Sequence, residues 1–181
     1  PVFAYDVAVA GNYAYVADGG SGLQVVDITN PSSPVIVGSV DTPRQARGIA
    51  VAGNYTYVAD GGSGLQVVDI TNPFSPVIVG RVDTAGQALD VAAAGNYAYL
   101  ADGYSGLQVI DLTNVALPVI VGLAGNGHAR SVTVAAGTAY VVGGSGLQVV
   151  DVTSPASPAL VGSVALPGAS NGVAVVGSTV Y

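Results

Sequence analysis

Three of the four arginines in this sequence, Arg44, Arg47 and Arg130, and its only histidine, His128, fall in one kind of segment. Each lies in or beside a short polar link between two apolar runs. Guanidinium groups present paired donors that match a carboxylate or a phosphate. A few of them in an otherwise acidic chain suit an anionic ligand: a carboxylate, a phosphate or an acidic sugar. The competing role is ion pairing with Asp41, Asp83 or Asp90, which keeps loops soluble and contributes little to stability. Arg44, Arg47, His128 and Arg130 are the candidate ligand-binding residues.

Other constellations carry less chemistry. Asp27, Asp69, Asp111 and Asp151 each precede a Thr-Asn or Thr-Ser turn. They could form a ring of carboxylates for cations, but a local bond to the backbone amides of that turn explains them more simply. Asp18, Asp60 and Asp102 stand before Gly-rich links without the Asp-x-Asp-x-Asp spacing of a calcium loop, so a turn role is expected. The Gly-Gly-Ser-Gly links lack the following Lys and open no helix, which removes the phosphate-loop reading. His128, Ser131 and Asp90 contain the members of a hydrolytic triad, but nothing in the sequence brings them together. A lone His without Cys builds no zinc site. The expectation is no catalytic residue, no metal and no cofactor.

The elements that would position these residues follow from an internal repeat. Ser21-Gly22-Leu23-Gln24-Val25-Val26-Asp27 recurs at 63–69, 105–111 and 145–151. Each unit reads as four short strands, in the first about Tyr5–Ala10, Tyr13–Asp18, Leu23–Ile28 and Val35–Val40, here called a to d. Gly11-Asn12 suits a tight a–b hairpin, and Pro31 and Pro34 stop any ladder from running through the c–d link. The strands are apolar along their whole length, a pattern for sheets covered on both faces. Radially stacked four-stranded sheets of this period are the mark of a β-propeller. Tyr13, Tyr15, Tyr55, Tyr57, Tyr97 and Tyr99 then pack between blades. The predicted units are 1–42, 43–84, 85–125 and 126–166, with the start of a fifth at 167–181.

Three stretches sharpen this reading: Gly-Asn-Tyr-Ala-Tyr-Val-Ala-Asp-Gly, Gly-Leu-Gln-Val-Val-Asp-Ile-Thr-Asn-Pro and Pro-Val-Ile-Val-Gly. They resemble the LVIVD-repeat family over nearly the whole chain. The resemblance implies an all-β propeller of four-stranded antiparallel blades in a secreted or cell-surface prokaryotic protein. It transfers no catalytic motif.

Composition agrees. Of 181 residues 50% are hydrophobic and 8% charged, and Glu, Lys, Cys, Met and Trp are all missing. A formal charge of −7 argues against nucleic acid and against docking to an anionic membrane. No apolar run is long enough for a spanning helix, so no membrane insertion is expected. Pro1 aligns with Pro43 and Pro167, and Tyr181 with Tyr15, so both ends carry strand a and the start of b. Together with the missing Met, this leads us to expect a fragment of a larger ring. A homodimer of two half-rings and a closed four-blade ring are the other arrangements.

In register, Tyr5, Arg47, Leu89, Arg130 and Asn171 share one position; Phe3, Gln45, Gln87, His128 and Ala169 lie two before it. Asp6, Gly48, Asp90, Ser131 and Gly172 follow it. The d–a and b–c links emerge on one propeller face, and most variation between units falls in the d–a links. The expected function is a non-enzymatic scaffold or recognition module binding a protein, glycan or anionic ligand there. The alternatives are a structural part of a large assembly, or the propeller of a hydrolase or lyase with its catalytic groups elsewhere.

Overall fold

The computed structural model describes residues 3–125, 127–168 and 170–181. Pro1 and Ala169, two of the positions that set the register, lie outside the described residues, as does Asn126. The first unit forms β1 (Asp6–Ala10), β2 (Tyr13–Ala17), β3 (Leu23–Asp27) and β4 (Val35–Val40). The second forms β5 (Gly48–Ala52), β6 (Tyr55–Ala59), β7 (Leu65–Asp69) and β8 (Val77–Val82). The third forms β9 (Asp90–Ala94), β10 (Tyr97–Ala101), β11 (Leu107–Asp111) and β12 (Val119–Ala124). The fourth forms β13 (Ala129–Ala135), β14 (Thr138–Gly143), β15 (Gly146–Asp151) and β16 (Ala159–Val164). A short hairpin follows, β17 (Val175–Val176) with β18 (Thr179–Val180).

Each complete unit is an antiparallel meander in chain order. The a–b hairpins of the first three units close on Gly-Asn pairs, with Gly11 at φ 58°, a conformation open to glycine, and the fourth closes on Ala136-Gly137. Strand ends differ from expectation by one residue. Asp18 donates its amide to Gly22 O at 2.8 Å and closes the b–c turn. Ile28 leaves the ladder to donate to Asn12 O at 2.9 Å.

The core is not one body but three slabs, each between successive sheets. Tyr15, Ala17, Leu23 and Val25 meet Ile49, Val58 and Val68 of the next unit. Tyr57, Leu65 and Val67 meet Val91, Leu100 and Ile110 in the same way. Tyr99, Leu107 and Val109 meet Val132, Val141 and Val150. The tyrosines of strand b thus pack between blades, as their recurrence predicts; Tyr13, Tyr55 and Tyr97 flank the same slabs.

Burial on both faces holds where a sheet has a neighbour on both sides. In β7 Leu65, Gln66, Val67 and Val68 are all buried. In β1 Val7 is 57% exposed, while the matching Ile49 and Val91 are 5% and 4% exposed. The strand sequence is the same in kind; the neighbouring sheet makes the difference.

Candidate site at the mouth of the d–a links

The site begins where adjacent units are stitched together. Gly19 bridges to Ala46, Gly61 to Ala88 and Gly103 to Ala129. Each bridge ties a b–c link to the start of the next unit, and the amide of the following residue re-enters the sheet. Arg47 N donates to Ala59 O and Leu89 N to Ala101 O, at 2.8 and 2.9 Å. These bonds set the register that brings Tyr5, Arg47, Leu89, Arg130 and Asn171 around one opening.

A cavity of about 790 Å³ lies there, with Arg47, Arg130 and His128 in its lining. Gly86 and Gln87 of a d–a link and Gly103 to Ser105 of a b–c link complete one side. Links of these two kinds therefore do share a face. A second hollow of about 320 Å³ adjoins it, lined by Asp6, Asp90 and Ser131 together with Arg47 and Arg130.

Three of the four candidate residues are brought together. Arg47 donates from Nη2 to Gln45 Oε1 at 2.9 Å, and its guanidinium carbon stands 5.3 Å from the Tyr5 ring centroid. That distance is within cation–π range. Arg130 donates from Nη1 to Asn171 Oδ1 at 2.7 Å. Among the described residues the hydrogen-bond partners of both guanidinium groups are neutral amides. Arg47 Nε and His128 Nδ1 are buried atoms without a hydrogen-bond partner. Buried polar atoms are normally satisfied, which makes these two worth a functional explanation.

Arg44 does not line the cavity. Its backbone amide donates to Asp60 Oδ2 at 3.0 Å, and Thr42 Oγ1 donates to Asp60 Oδ1 at 2.7 Å. The carboxylate thereby holds the link into the second unit. Asp102 repeats this for the link into the third, accepting from Thr84 Oγ1 at 2.7 Å and Gly86 N at 3.0 Å. Burial raises both acids above the ordinary 3.8, and these hydrogen bonds oppose the rise. The expected turn role of Asp60 and Asp102 is thus extended: they clamp a link about sixteen to eighteen residues upstream.

Beneath the mouth, carboxylates fasten one strand a to the next. Asp6 Oδ2 accepts from Ile49 N at 2.9 Å. Asp90 Oδ2 accepts from Ser131 Oγ at 2.6 Å and Val132 N at 2.9 Å. Burial is the main cause of a raised Asp90 pKa, with the Asp6 charge adding to it. Gly48 lies between the two, and a Cβ there would sit 2.5 Å from Asp90 Cα. Only glycine admits that approach.

The paper triad therefore does not assemble. Ser131 donates straight to Asp90, while His128 lies edge-on to Tyr104, ring centroids 4.6 Å apart at 87°. The four repeated acids also have a local job: Asp27, Asp69, Asp111 and Asp151 accept from the amides of Thr29, Thr71, Thr113 and Thr153 at 2.7 to 2.9 Å. Hydrogen bonds from those threonines hold all four below the ordinary 3.8.

Tyr104 is the residue that sequence reasoning missed. It is 87% exposed and lines the cavity at a position where the first two units have Gly20 and Gly62. The signal was available: a Gly-Gly-Ser-Gly link that becomes Gly-Tyr-Ser-Gly in one unit alone.

The chain matches the family model described as LVIVD repeat over residues 3–42, 43–84, 85–123 and 126–165. No curated protein matches it. Among solved structures it is similar to a functionally unknown protein from Desulfotomaculum acetoxidans DSM 771, at 13% identity and a TM-score of 0.82, over 98% of this chain and 62% of that one. It is also similar to the computationally designed Ika8 protein, at 9% identity and a TM-score of 0.77, over 96% of this chain and 53% of that one. The designed Ika4 protein aligns at 11% identity and a TM-score of 0.64, over 79% of this chain and 87% of that one. This chain thus spans roughly half to three fifths of the first two. At such identities the likeness is one of fold.

Proposed function

This chain belongs to the LVIVD repeat family, and from that premise we propose that it is a non-enzymatic recognition module of a secreted or cell-surface protein, binding an anionic ligand at the mouth of its d–a links. The observation that carries this reading is the convergence of Arg47, Arg130 and His128 on one cavity, with amide rather than carboxylate partners on both arginines. In a chain of net charge −7, cations held in a concave site and hydrogen-bonded to amides favour an incoming anion.

The test is calorimetric titration of the whole chain with citrate, inorganic phosphate and trigalacturonate. At least one should bind, and the Arg47→Ala, Arg130→Ala double variant should weaken it tenfold or more. Arg44→Ala should leave it unchanged. No binding by any probe, or equal binding by the double variant, overturns the reading.

A second reading is favoured by a different observation. Val7 and Val9 present an apolar face, and at the Val7 position the later units bury Ile49, Val91 and Val132; large exposed apolar surfaces mark interaction sites. On this reading the chain packs within a larger assembly through β1. Replacing Val7 and Val9 with Thr should then abolish self-association or partner capture in light scattering, and unaltered molar mass would dismiss it.

A further inference from the structure

Resting on that same site, we propose a class of ligand: a short acidic oligosaccharide, with uronic acid carboxylates on the arginines and sugar rings against Tyr5 and Tyr104. Three features favour it over a small anion. The first is size. A cavity of about 790 Å³ suits a drug-sized ligand, and a phosphate or simple carboxylate would leave most of it to water.

The second is the placing of charge. Arg47 and Arg130 belong to the second and fourth units, and Leu89 of the third stands between them in the lining. They form two separate anchoring points rather than one clamp. A chain of linked acidic sugars presents carboxylates at intervals, each a match for the planar fork of a guanidinium group.

The third is the aromatic rim. Tyr5 and Tyr104 are 47% and 87% exposed, and both line the cavity. Each sits beside a nitrogenous side chain of the site, Tyr5 beneath Arg47 and Tyr104 edge-on to His128. A rigid ring with an apolar face and a hydroxyl costs little conformational entropy on binding, which suits the mixed C–H and hydroxyl surface of a sugar. Gln87, Ser105 and Asn171 add amide and hydroxyl groups for the remaining hydroxyls.

Tyr15, Tyr57 and Tyr99 of strand b, by contrast, are buried between sheets. Among the tyrosines of the described residues, Tyr5 and Tyr104 line this cavity.

The sequence contains no tryptophan, so a Tyr104→Trp variant carries a single indole at the rim that can be excited apart from the tyrosines. Trigalacturonate should quench or shift its emission and bind the unaltered chain at least tenfold more tightly than either citrate or neutral maltotriose. Tyr104→Ala should lose tenfold or more of the trigalacturonate affinity without moving the melting temperature, since the side chain is exposed; Tyr104→Phe should retain most of it. Citrate or phosphate binding that depends on Arg47 and Arg130, with trigalacturonate no tighter and Tyr104→Ala without effect, overturns the saccharide inference and leaves the anion site standing. Maltotriose binding as tightly as trigalacturonate also overturns it. Failure of every probe sinks both.

Discussion

The links into the second and third units and the link into the fourth occupy the same place in the repeat, yet they are held in opposite ways. Asp60 and Asp102 each reach back to a threonine hydroxyl and a backbone amide of the preceding link. In the fourth unit Val142 stands in that place. There Gly144 N donates to His128 O at 3.0 Å, a tie between main-chain groups. The carboxylate is lost where His128 enters the cavity, beside the one b–c link that carries Tyr104. A feature shared by units serves the scaffold, and departures from it gather around the candidate site.

The largest effect should come from exchanging the two arrangements. Val142→Asp buries an acid where no threonine faces it, and we expect a loss of about 3 kcal/mol or more in urea unfolding. Asp102→Ala strips the Thr84, Gly86 and Ser105 donors of their acceptor and should cost about 2–3 kcal/mol. A neutral Val142→Asp would show that the fourth link accepts a clamp, and the contrast would then carry no structural meaning.

Thr84→Val should have a smaller effect, about 1 kcal/mol, because it removes one of the bonds to Asp102 and keeps the shape. It should also raise the Asp102 pKa further, readable by carboxyl carbon NMR. An unmoved titration would mean that burial alone sets that acid.

The smallest effect is on the pH profile. Asp60, Asp90 and Asp102 are raised above 3.8, chiefly by burial. Between 3.8 and their raised values the folded chain holds more protons than the unfolded one, so stability increases on mild acidification and is lost as pH rises through that window. Asp27, Asp69, Asp111 and Asp151 are lowered, so their contribution is present above 3.8 and lost as pH falls below it. Melting temperature should therefore peak in the mildly acidic range, and Asp102→Asn should flatten the rise towards that peak while sparing the fall beyond it. A monotonic decline from neutral pH would contradict these shifts.

How much of this could be read beforehand divides along the same line. The four-strand period, the Gly-Asn hairpins, the inter-blade tyrosines and the Asx bonds of the repeated Asp-x-Thr turns are local or periodic, and periodicity writes them directly into the residues. Arg47, Arg130 and His128 could be picked from composition, because cations are scarce in this chain.

Their fates could not. Arg44 and Arg47 are three residues apart, yet Asp60 holds the backbone at one and the cavity takes the side chain of the other. That separation depends on a carboxylate sixteen residues on, just past β6 of the same unit, and no local spacing encodes that contact. The same holds for Val7 and Ile49, alike in sequence and opposite in burial. The sequence by itself determined the blade; only the packing of one blade on the next decided which links are clamped, which are open, and which side chains meet at the mouth.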